Sequence, residues 1–92
     1  MKKLTIFYLE GCPYCAMARR AVRELTGETD FADVRIEWID ERAEAKLAEV
    51  YDYYYVPAVF DGDRKLYEAR PSHDYETVRD ALRRALSEAS DK

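Results

Sequence analysis

The chain has 92 residues, 48% hydrophobic and 37% charged, with 15 basic and 19 acidic side chains and a net charge of −4. That length is expected to form one domain, 1–92, able to bury a modest core. The acidic balance argues against nucleic-acid or anionic-membrane binding in general, and no apolar run approaches the ~20 residues of a membrane-spanning helix.

Residues 3–9 are rich in β-branched and aromatic side chains and end at Gly11, which predicts a first strand. The lysines before it loosely imitate a secretory leader. The apolar stretch is too short for one and no small-residue cleavage site follows, so a cytoplasmic location is expected. A structural disulfide would be unusual there, and a cysteine pair is more often catalytic, redox-sensing or metal-binding. In residues 13–26, Ala18, Ala21, Val22 and Leu25 recur at helical spacing, with Arg19, Arg20, Arg23 and Glu24 on the other face. Pro13 suits the first helical turn and Gly27 stops the helix.

Residues 34–39 alternate Val34, Ile36 and Trp38 with Arg35 and Glu37, a strand with one wetter face. Asp40 then caps a second helix whose stripe is Ala43, Leu47, Val50 and Tyr51. Residues 56–61 read as a third strand and 64–68 as a fourth, joined through Gly62 as a hairpin. Pro71, Ser72 and Asp74 lead into a last helix that buries Tyr75, Val78, Leu82 and Leu86, and the final residues are expected to fray. The order is βαβαββα. Two strand–helix units imply parallel pairing with right-handed crossovers, the hairpin adds antiparallel strands, and helices should cover both faces of a small mixed sheet.

Cys12 and Cys15 are the chain's two cysteines, placed where the first strand gives way to the first helix. The free N–H groups and partial positive charge of a helix start favour an anion. The sulfur of Cys12 is expected to accept from those N–H groups and to be the more readily ionised thiol. Cys15 lies one turn deeper, where burial opposes ionisation. An exposed thiol that attacks and a shielded one that follows are what dithiol–disulfide exchange requires. A structural zinc site would need two further ligands, and the chain offers one histidine, His73. Copper-carrying domains also place CxxC after a first strand, but in the order βαββαβ and without a proline between the ligands.

With Cys12-Pro13-Tyr14-Cys15, Tyr55-Val56-Pro57 before the third strand, and this element order, the chain resembles the glutaredoxins of the thioredoxin-like superfamily over nearly its whole length. The resemblance implies a four-stranded mixed sheet with helices on both faces. It also implies a disulfide oxidoreductase that reduces protein disulfides or mixed disulfides, with Cys12 as nucleophile and Cys15 as resolving thiol. The peptide before Pro57 would be cis, the Val56 backbone would pair with substrate as an added strand, and Tyr14 and Tyr55 would line the same groove. No tightly bound cofactor or metal is expected. Glutathione would be a co-substrate, or a flavoenzyme of the thioredoxin-reductase type the reductant, for a monomer acting on disulfide-containing proteins. The alternative is a metal or iron–sulfur carrier binding through Cys12 and Cys15.

Two positions depart from the family. Leu9 stands where glutaredoxins carry a basic residue. Residues 68–74 (EARPSHD) lack the Gly-Gly pair that grips glutathione, although Asp74 stands where the family's aspartate follows; it can equally cap the last helix together with Ser72. Of the run Tyr51, Tyr53, Tyr54 and Tyr55, alternate tyrosines are expected to pack the end of the second helix into the core with their hydroxyls at the surface, Tyr55 being set apart because it adjoins the groove. Arg19, Arg20 and Arg23 read as a solvated face, His73 as a loop residue, and Phe31 and Trp38 as core.

Overall fold

The computed structural model describes residues 3–27 and 31–90. Its elements are β1 (Lys3–Tyr8), α1 (Pro13–Thr26), β2 (Arg35–Asp40), α2 (Ala45–Val50), β3 (Ala58–Asp61), β4 (Arg64–Glu68) and α3 (Tyr75–Ser90). The expected fraying concerns Asp91 and Lys92, which lie outside the described residues. Among the described residues no helix is long and apolar enough to cross a membrane.

The sheet order is β2-β1-β3-β4, with β1 parallel to β2 and the other pairs antiparallel. Because β1 is central it is covered on both faces, and the run Leu4 to Phe7 is buried without interruption. Leu4 and Ile6 join Val59 against α1 and α3, where Ala18, Leu25, Val78, Leu82 and Leu86 close the main core. On the opposite face Phe7, Ile39, Ala58 and Phe60 pack with Ala48, Tyr51 and Tyr53.

α1 begins at Pro13, whose fixed φ suits the first turn, and ends before Gly27, which sits at φ −72° and ψ −15°, a right-handed conformation open to any residue. It is held to α3 by Glu24, whose carboxylate accepts from Tyr75, Arg79 and Arg20. Arg19 departs from a purely solvated role: its guanidinium lies 4.5 Å from the ring centres of both Tyr8 and Trp38. Phe31 is buried, whereas Trp38 is half-buried beneath that guanidinium.

Two expectations about the elements are corrected. The first concerns α2. Asp40 Oδ1 accepts from Arg42 N at 2.8 Å within a turn, and α2 starts five residues after Asp40, with no side-chain cap. Leu47 and Val50 are exposed, Val50 by 79%, and the residues that reach the core are Ala48 and Tyr51. The 41–44 turn advances the chain out of phase with a helix begun at Asp40, so Ala43, Leu47 and Val50 of the expected stripe face solvent while Tyr51 packs on the core as expected. The second correction is that β3 begins at Ala58 rather than Val56, because residues 56–57 form a bend with a cis peptide between them. The tyrosines alternate as expected: Tyr51 and Tyr53 pack against Phe7 and Phe60, and Tyr54 is 88% exposed.

Candidate functional site

The link from β1 to α1 is a tight turn. Gly11 adopts φ 81°, a left-handed conformation that side-chain-bearing residues rarely take, and Cys12 N donates to Leu9 O at 3.4 Å. Cys12 then becomes the N-cap of α1 with φ −79° and ψ 121°, and its carbonyl accepts the first helical bond from Ala16 at 3.0 Å. The turn therefore delivers Cys12 half-exposed at the helix start, while Cys15 points inward and is 3% exposed. Both thiols are free.

The two sulfurs have different surroundings. Cys12 Sγ makes no cap hydrogen bond to the helix N–H groups. It donates instead to the carbonyl oxygen of Val56 at 3.8 Å, so the expected acceptor is a donor in this thiol state. Burial pushes the Cys15 thiol up to about 12. A hydrogen bond from the Leu9 backbone opposes that rise, and the Cys12 side chain and the Glu41 charge add to it. A recess of about 230 Å³ opens beside the pair, lined among others by Tyr8, Leu9, Cys12, Cys15 and Arg19. Among the described residues no three His, Cys, Asp or Glu side chains stand together in a way that could hold a metal ion.

Val56 reaches Cys12 across 44 residues of sequence. The Val56–Pro57 peptide is cis, as the resemblance implies. The segment that carries it is anchored at both ends. Ala69 N donates to Pro57 O at 3.1 Å, and Tyr54 N and Tyr55 N each donate to Glu68 Oε2 at 2.7 Å. Glu68 itself received no role from the sequence. Burial alone would raise its carboxyl, but Lys65 and the two N–H groups outweigh that and hold it at about 2. An acid ending a strand gives no sequence signal that separates it from an exposed one; only the folded 54–55 backbone reveals its partners.

Tyr55 is partly exposed beside Val56, with the Arg70 guanidinium 5.6 Å from its ring centre. The hydroxyl of Tyr14 donates to Pro71 O, tying α1 to the loop before α3. In that loop His73 Nδ1 faces Tyr67 Oη at 2.8 Å and accepts from Arg70 N at 3.2 Å, with the two rings stacked. Asp74 Oδ1 accepts from Thr77 N and Thr77 Oγ1 at 2.9 and 2.7 Å, which makes Asp74 the cap of α3. The structure thus brings Cys12, Cys15, Val56 and Pro57 into one neighbourhood and sets Tyr14 and Tyr55 beside the adjoining loop.

The family model described as Glutaredoxin matches residues 4–65. No curated protein matches the sequence. Solved structures with a similar fold include thioredoxin 1 from the thermophilic eubacterium Thermosipho africanus TCF52B. It has a TM-score of 0.61 and 21% identity, over 98% of this chain and 99% of that one. A mutant thioredoxin from Halobacterium salinarum NRC-1 gives 0.59 and 25%, over 89% and 72%. Trxlp from Edwardsiella tarda EIB202 gives 0.55 and 14%, over 87% and 80%. At these identities the first and third likenesses are of fold alone.

Proposed function

The chain belongs to the glutaredoxin family, and from that premise we propose that it is a dithiol–disulfide oxidoreductase acting on protein disulfides or mixed disulfides. One observation carries the reading: a half-exposed Cys12 thiol at a helix start, against the Val56 carbonyl, with the buried Cys15 behind it. Cys12 loses its proton and its sulfur attacks one sulfur of the target disulfide. The target S–S bond breaks, the departing thiolate takes up a proton, and Cys12 is left in a mixed disulfide. Cys15 then gives up its proton and attacks Cys12 Sγ. The target leaves with two electrons and two protons gained, and the protein holds a Cys12–Cys15 disulfide.

The environment of Cys15 suits the second step. While Cys12 is free, burial and the neighbouring sulfur keep Cys15 protonated, so it does not compete for the target. Once Cys12 is bonded to a target, its hydrogen-bonding and charge contributions to that protonation disappear and burial remains.

For the electron donor we propose a flavoenzyme of the thioredoxin-reductase type rather than glutathione. A glutathione site of the family kind needs free backbone donors after strand four. Here Ala69 N–H is committed to Pro57 O and Arg70 N–H to His73 Nδ1, while Asp74 is occupied by Thr77. The residues present do not fit glutathione well. Reduction of an insulin-type disulfide with NADPH and thioredoxin reductase, compared with glutathione and its reductase, tests both parts. Turnover with the flavoenzyme and little with glutathione is expected. Low-micromolar binding of a glutathione analogue to Cys15→Ser would contradict the choice of donor.

A further inference from the structure

Glu68 ends β4 nearly buried, with its side chain 5% exposed. Its Oε2 accepts both the Tyr54 and Tyr55 N–H groups at 2.7 Å, and its Oε1 accepts from Lys65 Nζ at 2.8 Å. A buried carboxylate is costly unless its partners are complete, and a well-packed apolar residue often serves stability as well or better. Packing does not explain what it holds either. Tyr54 and Tyr55 are exposed side chains outside regular structure, so little apolar contact fixes their backbone. Two N–H groups on Glu68 at one end, and Pro57 O on Ala69 N–H at the other, bracket Val56. The Val56 carbonyl is the one that meets Cys12 Sγ.

We propose that Glu68 is a positioning residue for the substrate strand. By binding the N–H groups of Tyr54 and Tyr55 it holds the Val56 backbone against Cys12, where an extended peptide segment flanking the target disulfide pairs. The inference rests on the oxidoreductase reading above. Loss of the carboxylate leaves the sulfur chemistry intact and lets the docking edge drift, and misplacement of a positioning group slows the reaction of a bound substrate.

The test compares two second-order rates in the parent, Glu68→Gln, Glu68→Leu and Lys65→Met. The first is alkylation of Cys12 by iodoacetamide, which needs no strand pairing. The second is reduction of a peptide whose disulfide lies in an extended segment. The peptide rate is expected to fall about tenfold in Glu68→Leu and about threefold in Glu68→Gln, whose amide oxygen still accepts, with alkylation unchanged within about twofold. Lys65→Met keeps the acceptor of both N–H groups and is expected to keep the parental peptide rate. Amide exchange at Tyr54 and Tyr55 should accelerate in both Glu68 variants.

A parental peptide rate in folded Glu68→Leu overturns the inference. If that variant does not fold, a parental rate with parental amide exchange in Glu68→Gln overturns it. Equal losses of alkylation and peptide reduction also do so, since they indicate general loosening. A parent that reduces no disulfide removes the oxidoreductase reading and this inference together; an active parent with indifferent Glu68 variants removes this inference alone.

Discussion

Cys12 Sγ lies 3.8 Å from the carbonyl oxygen of Val56, although 44 residues separate them in sequence. The contact joins the start of α1 to the bend before β3, two places that β1 and β3 bring together by pairing antiparallel in the middle of the sheet. Phe7 opposes Ala58 in that register, which puts the chain leaving β1 and the chain entering β3 at the same end. The candidate site is therefore a product of sheet register and does not depend on a long mobile loop.

The asymmetry of the two thiols predicts an order of modification. Iodoacetamide added to the reduced protein between about pH 6 and 9 should label Cys12 and leave Cys15 unlabelled, because thiolate is the reacting form. Cys15 is buried and its thiol is pushed up to about 12, so almost none of it is ionised in that range. Mass spectrometry of the digested protein reads the site directly. Labelling of Cys15 ahead of Cys12 would reverse the assignment of roles.

Glu68 predicts an acid dependence of stability. Its carboxyl is held at about 2 against an ordinary 4.5, so the unfolded chain binds this proton more readily than the folded one. Stability from this group is fully present above about pH 4.5 and is lost as pH falls towards 2. Thermal unfolding should show the parent above Glu68→Gln at pH 7, with the gap closing between pH 4.5 and 2. A gap that stays constant across that range would show that the charge of Glu68 contributes nothing.

The corrected phase of α2 predicts a contrast between two apolar residues. Leu82 is fully buried between α3 and the sheet, and Leu82→Ala should cost about 2–5 kcal/mol. Val50 is 79% exposed, and Val50→Ser should stay within about 0.5 kcal/mol of the parent. Denaturant unfolding measures both. A large loss at Val50 would restore the stripe read from the sequence.

Strong local punctuation made much of this fold legible. Pro13 and Gly27 bracket α1 where the sequence places it, and Gly62, at φ 64°, turns β3 into β4. The cysteine pair and Val56-Pro57 are short-range signals, and the structure brings them together. α2 was misread for a physical reason. A six-residue helix carries too few periodic positions to fix its phase, and the turn at 41–44 hides where the period starts. Glu68 was illegible because its partners are backbone N–H groups 13 and 14 residues away, which no side-chain pattern encodes. The same holds for Ala69 and Arg70: their lost glycines are visible in the sequence, but the commitment of their N–H groups to Pro57 and His73 is not.

The central claim is that Cys12 attacks and Cys15 resolves. It is tested most directly by mixing Cys15→Ser with a disulfide-containing protein, without added thiol, and looking for a covalent complex by non-reducing mass spectrometry. The account predicts a stable mixed disulfide through Cys12, because the group that would release the target is gone. In the same assay Cys12→Ser should form no complex and reduce nothing. Reduction of the target by Cys12→Ser, or a complex formed through Cys15 in that variant, would contradict it.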